Sequence, residues 1–109
     1  MKPLVENSSD PGQVKAAQRE KGWRRKQELE DIRQVWSTPH GRRIMRRYLT
    51  ETSIYATTFC GDPYRTAYRE GARTMGLMIF GDAREACPDF LALMEKESGD
   101  ENEEEKRNG

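Results

Sequence analysis

The sequence predicts an all-α fold, a small helical domain of about four helices with disordered ends. Three observations carry that expectation. Proline follows a capping residue at Ser9-Asp10-Pro11, with Ser9 or Asp10 as the cap, and at Thr38-Pro39 and Asp62-Pro63, and Pro88 follows a break at Cys87. At such a start the side-chain oxygen accepts from a free backbone N–H, and proline at the first helical position loses no bond. The apolar periodicities between these starts lie near 3.6 residues, and no segment alternates strongly enough to read as a strand. Finally, 109 residues with 34% hydrophobic and 35% charged content leave room for one domain with a thin core. Such a domain is often marginal alone, so self-association or a partner is expected.

In order along the chain, residues 1–9 have few groups able to offset the entropy of ordering, and are expected to be disordered. A long first helix is predicted over about 11–36. Its early half has little apolar content besides Val14, Ala16, Ala17 and Trp23, so it should project from the body or dock on another chain. Its later half carries Leu29, Ile32, Val35 and Trp36 on one face. Pro39 disfavours a helical Thr38, which ends this helix and caps the next. The second helix, about 39–52, has Ile44, Met45, Tyr48 and Leu49 on its apolar side, with Arg42, Arg43, Arg46 and Arg47 arriving in pairs on the rest. Residues 50–58 either prolong it or form an irregular turn. Cys60-Gly61-Asp62-Pro63 is a firm turn.

The central helix is predicted over 63–87. Ala67, Gly71, Met75, Met78, Ile79 and Ala86 fall near one face, which should be the surface on which the other helices pack. Gly71 and Gly76 each cost roughly 1 kcal/mol relative to alanine in a helix, and close approach of a second helix is the expected compensation. Pro88 opens a short last helix carrying Phe90, Leu91, Leu93 and Met94. Residues 98–109 are too charged to fold on their own and are expected to be a disordered acidic tail. The organisation is therefore a disordered 1–9, a helical domain over 10–97 and a tail over 98–109.

Net charge is zero, yet it is unevenly spread. Residues 15–47 hold eleven Lys and Arg against four Asp and Glu, and residues 95–105 hold seven acids and one Lys. A basic front faces an acidic tail. No apolar run approaches the ~18 residues of a membrane span, and no secretory signal is expected. Cys60 and Cys87 read as free thiols of a cytoplasmic protein, and with His40 alone they cannot build a four-ligand zinc site. His40 reads as a surface or capping-region residue, and nothing local orients a Cys-His nucleophile pair. Asp62, Asp82, Glu85 and Asp89 read as a cap and a solvated face, and no Gly-rich phosphate loop is present. The chain is thus expected to be no enzyme, with no catalytic, cofactor-binding or metal residue and no cofactor.

The basic stretch carries the candidate site. Trp23, Arg24, Arg25, Trp36, Arg42, Arg43, Arg46 and Arg47 are interface candidates, because arginines flanked by aromatics are favoured in protein contacts. The same residues would suit phosphates and bases, although the acidic tail would compete for them. The remaining reading is an ordinary solvated face.

Several strings occur together in order: DPGQVKAAQR at 10–19, RRKQELEDIRQV at 24–35, TPHGRR at 38–43, YREGARTMGLMI at 68–79 and EACP at 85–88. As a set they resemble the Bbp-nineteen-like family of small helical proteins of tailed bacteriophages, over about residues 10–95. The resemblance implies a late-gene, head-assembly or virion-associated setting, and it brings no catalytic or ligand residues. Arg69, Glu70, Gly71, Arg73 and Gly76, within the matching strings, are expected to hold the fold. The combined expectation is a phage accessory or virion-assembly protein acting through protein–protein contacts. Its partners would be other virion or assembly proteins, or itself, with no membrane, in the host cytoplasm or on the virion. The alternative is a small nucleic-acid-binding protein used in genome packaging or regulation.

Overall fold

The computed structural model describes residues 10–108. Four helices follow one another, α1 (Pro11–Trp36), α2 (Pro39–Glu51), α3 (Pro63–Ala86) and α4 (Pro88–Asn108), with no strand among the described residues. All four open on proline. Asp10 accepts from the backbone N–H of Gly12 (2.9 Å) and Gln13 (3.4 Å), Thr38 from Gly41 (3.1 Å), and Asp62 from Tyr64 (2.9 Å) and Arg65 (3.4 Å). Each cap satisfies donors that the first helical turn leaves free. The expectation for residues 1–9 lies outside the described residues.

α2 does not run on through residues 52–58. It stops with Thr52 as the cap and Ser53 in the left-handed region at φ 60°. There Ser53 N–H donates to Thr50 O (3.0 Å) and Ile54 N–H to Leu49 O (3.4 Å). This pair of bonds is a Schellman stop, which ties up the last carbonyls of the helix and swings Ile54 back toward the core.

Every helix touches the other three. The buried core is small: Trp36 from α1, Leu49 from α2, Ala83 from α3, Cys87 at the α3–α4 joint, and Leu91 and Met94 from α4. Ile32, Met45, Ile54, Ile79, Phe80 and Phe90 pack around it. The molecule measures 69 × 38 × 16 Å with a radius of gyration of 19.8 Å. A compact chain of this length would have about 13 Å, and 16 Å is close to the thickness of two packed helix layers. The domain is therefore flat and long, and only its middle has an interior.

Three sequence expectations are corrected. Trp36, expected at an interface, is only 1% exposed and anchors the core, because the 3.6-residue stripe of α1 continues through it. On α3, the face through Ala67, Gly71, Met75 and Met78 points outward. The packed face instead runs through Gly76, Ile79, Phe80 and Ala83. Gly76 decides this, since a Cβ there would collide with the Thr52 and Ile54 side chains. Third, the acidic segment after residue 97 is not disordered, because α4 continues to Asn108. Glu97 and Glu101, one turn apart, meet Arg42 and Arg46 of α2 at 2.6 and 2.5 Å, and the helical spacing is what aligns them.

Removing Trp36 should empty the core's largest site, and Trp36→Ala should cost ~3–5 kcal/mol in urea unfolding. Trp23→Ala, on the exposed part of α1, should stay within about 0.5 kcal/mol. Ser53→Gly should stabilise the fold by roughly 0.5–1 kcal/mol, because glycine adopts positive φ without a Cβ clash.

Candidate protein-interaction surface

The arginines of the basic stretch are largely engaged inside the molecule. Arg25 on α1 donates to Asp82 Oδ1 (2.9 Å) and Glu85 Oε2 (2.7 Å) of α3 and to Glu28 Oε2 (3.1 Å). Those bonds to Glu85, Asp82 and Glu28 raise its pKa further above the arginine range. Arg33 holds both oxygens of Asp89 at 3.1 Å and lies 4.7 Å from the Phe90 ring centroid. Arg42 is buried: its Nε donates to Glu97 (2.6 Å) and its Nη1 to the carbonyl of Trp36 (3.0 Å). Arg46 pairs with Glu101, and Arg24 pairs with Glu20 along its own helix. Arg43 and Arg47 are exposed and, among the described residues, have no carboxylate partner.

The eight sequence-chosen positions therefore do not form one patch. Trp36 and Arg42 belong to the interior, while Arg25 and Arg46 clamp helix to helix. Trp23 stands 71% exposed on the outer half of α1, with Arg24 nearby. Arg43 and Arg47 remain as free cations on α2.

The surface that does stand out is apolar and lies on α3. Tyr64 is 88% exposed, Tyr68 80%, Met75 53% and Met78 55%. With Ala67 and Gly71, also exposed, they line one side of the helix at steps of three and four. No charged residue interrupts this side between Tyr64 and Met78, since Arg65, Arg69, Glu70 and Arg73 project from other parts of the circumference. Toward its C-terminal end the stripe meets a groove of about 180 Å³ lined by Ile32, Val35, Trp36, Met45, Ile79 and Asp82. At the other end an open groove of about 470 Å³ lies among Glu51, Ser53, Tyr64, Arg65, Tyr68, Arg69 and Ala72. Ile44 and Tyr48 are exposed on α2, two turns and one turn before Glu51, and extend the apolar area along that side.

The sequence contained the signal for this surface, as the α3 periodicity, but assigned it to the core. Tyr64 and Tyr68 were not among the candidates, because helical tyrosines carry no motif.

Elsewhere, Thr58 donates to Glu70 and pins the 52–62 connection to α3. Cys60 is exposed, its thiol pKa pulled down by bonds to the Asp62 backbone and the Thr66 hydroxyl. Cys87 is buried and its thiol pKa is pushed up by desolvation. Among the described residues no three His, Cys, Asp or Glu side chains group as metal ligands, and no helix is long and apolar enough to cross a membrane.

Comparison with known families matches the model of the Bbp19-like phage protein over residues 32–96. The chain belongs to that family. The match takes in every buried core side chain and the whole apolar face of α3, and leaves out Trp23, Arg24 and Arg25. No curated protein and no solved structure matches the chain.

The Arg33–Asp89 pair generates a pH prediction. Hydrogen bonding from Arg33 lowers the Asp89 pKa, so its contribution is present above the ordinary aspartate pKa of about 3.9 and is lost as pH falls through the lower folded value. The stability gap between the native protein and Arg33→Ala should be constant near neutrality and should narrow as pH falls below the ordinary aspartate value of about 3.9, as read by urea unfolding across pH. Thiol reactivity should split likewise: iodoacetamide should label Cys60 in the native state and Cys87 only on unfolding.

Proposed function

We propose that this phage protein is a non-enzymatic accessory or virion-assembly protein that works by protein–protein contact, in the host cytoplasm or on the virion. The observation that carries this reading is the uninterrupted apolar side of α3, with two tyrosines and two methionines directed into solvent. Aromatic residues and methionine are the side chains that interface centres favour and that a plain solvated face lacks. A contiguous exposed apolar patch on a soluble domain marks an interaction site.

The charge arrangement supports the same reading over a nucleic-acid role. Arg25, Arg33, Arg42 and Arg46 already face carboxylates of this chain. Using them on phosphates would require breaking those pairs before any counterion release is gained. The carboxylates of α4 lie against the same helix and repel a polyanion.

Affinity-tagged full-length protein, recovered from infected cells, should bring down virion structural proteins. Tyr68→Glu should abolish that recovery while leaving the circular dichroism unchanged. Duplex DNA should bind negligibly at 150 mM salt, which is roughly the physiological ionic strength. Submicromolar DNA binding that falls steeply with salt, weakens with Arg43→Ala/Arg47→Ala and persists in Tyr68→Glu would overturn the contact reading in favour of nucleic acid.

A further inference from the structure

We infer that the basic arm at the start of α1 docks on the acidic end of α4 of a second copy of this chain. This surface is separate from the α3 face, and the inference goes beyond the contact reading without depending on it.

The two segments are alike in build and opposite in charge. From Lys15 to Arg24 every residue of α1 is exposed, and so is every residue of α4 from Gly99 to Asn108. On the arm, Lys15, Arg19, Lys21 and Lys26 have no carboxylate partner among the described residues. On the acidic end, Asp100, Glu104 and Glu105 have no cation partner among them. Lys15, Arg19 and Lys26 fall within about 40° of the helix circumference, and Trp23, largely exposed, borders that side. Helical stretches exposed all round draw no support from packing. Like charges four residues apart, Lys15 with Arg19 and Asp100 with Glu104, add a further penalty. A partner of opposite charge relieves both.

The molecule already contains the contact on a smaller scale. Arg42 and Arg46, four residues apart on α2, meet Glu97 and Glu101, four apart on α4, at 2.6 and 2.5 Å. At the next step α2 offers Thr50 and no cation. Glu104 and Glu105 instead line, with Glu101 and Asn108, an open groove of about 480 Å³. Lys15 and Arg19 repeat the interval of Arg42 and Arg46, and Asp100 and Glu104 repeat that of Glu97 and Glu101. The arm can therefore continue the same ladder from outside.

Within one chain the two segments lie apart. Arg33, ~27 Å along α1 from Lys15, holds Asp89 at the start of α4, and Glu101 lies farther on, against Arg46 of α2. A polyanion would satisfy the arm and be repelled by the acidic end. A second copy satisfies both, and a net charge of zero sets no overall repulsion between copies.

Light scattering of the full chain at ~100 μM should show self-association in about 50 mM salt that weakens at least tenfold in about 500 mM, because exposed pairs are screened. Lys15→Glu/Arg19→Glu and Asp100→Lys/Glu104→Lys should each weaken it at least tenfold with circular dichroism unchanged, since neither pair has a partner in its own chain. The chain carrying all four reversals should regain it. Arg43→Glu/Arg47→Glu, with the same net charge as the arm variant, should leave it intact. In a mixture of ordinary and isotope-labelled protein, a water-soluble carbodiimide should join arm lysines to α4 carboxylates in peptides of mixed label. A monomer in low salt, association indifferent to salt, equal loss in Arg43→Glu/Arg47→Glu, or no recovery with all four reversals would each overturn the inference. Submicromolar binding of duplex DNA that Lys15→Glu/Arg19→Glu abolishes would assign the arm to nucleic acid and overturn it as well. Recovery of virion proteins, and its loss in Tyr68→Glu, reads the α3 contact separately.

Discussion

Arg42 is the side chain on which the arrangement of the four helices depends. It is buried, and from α2 it reaches the carbonyl of Trp36 at the end of α1 and the carboxylate of Glu97 on α4. The last carbonyls of a helix have no partner of their own, and that of Trp36 is supplied from the neighbouring helix. The Phe90 ring lies between two guanidiniums, Arg33 at 4.7 Å and Arg42 at 5.7 Å from its centroid. One cation therefore joins three helices, and its planar fork makes two directed bonds that a lysine could not reproduce. Losing a partner from such a site leaves a buried charge, a cost of about 3–5 kcal/mol in comparable cases.

From this point the electrostatic design of the molecule becomes intelligible. Arg42 with Glu97 and Arg46 with Glu101 repeat at the same helical interval, so α2 and α4 run side by side in a fixed register. Arg25 with Asp82 and Glu85 does the same for α1 and α3. Part of the basic front is thus complemented within the molecule, by Glu97 and Glu101 of the acidic segment and by Asp82, Glu85 and Asp89. Exposed pairs contribute little one by one. Their effect here is on alignment, and the buried Arg42 fixes that alignment because leaving its charge unpaired would be costly.

How far the sequence could be read follows the same division. The helix starts were legible because caps and prolines act within three residues, so all four helices begin where Pro11, Pro39, Pro63 and Pro88 place them. The stop of α2 was not, because it depends on a positive φ at Ser53, a residue that gives no such warning. The end of α4 was missed because it forms against α2: seven acids in a row of eleven residues look incompatible with folding until Arg42 and Arg46 lie beside them. On α3 the period was right and the direction wrong. Apolar residues occupy two sides of that helix, and only the Thr52 and Ile54 side chains against Gly76 show which one faces the core. Of the interface candidates, Trp23, Arg43 and Arg47 lie exposed, whereas Trp36 and Arg42 are buried. Periodicity shows that residues share a face but not what that face meets.

A two-layer sheet of helices 16 Å thick sets a limit that bears on function. A helix in such a sheet can turn one side to the opposite layer and part of its flank to a neighbour in its own layer. α3 turns Gly76, Ile79, Phe80 and Ala83 inward and still has Tyr64, Tyr68, Met75 and Met78 on another side. α1 meets the later half of α3, where Arg25 bonds Asp82 and Glu85. A longer loop or a fifth helix would be needed to cover the earlier half. The described chain contains neither, and the family match spans this same uncovered stretch. The side of α3 from Tyr64 to Met78 therefore stays uncovered by the described residues, so a thin core on one side of the helix goes together with an exposed apolar face on another.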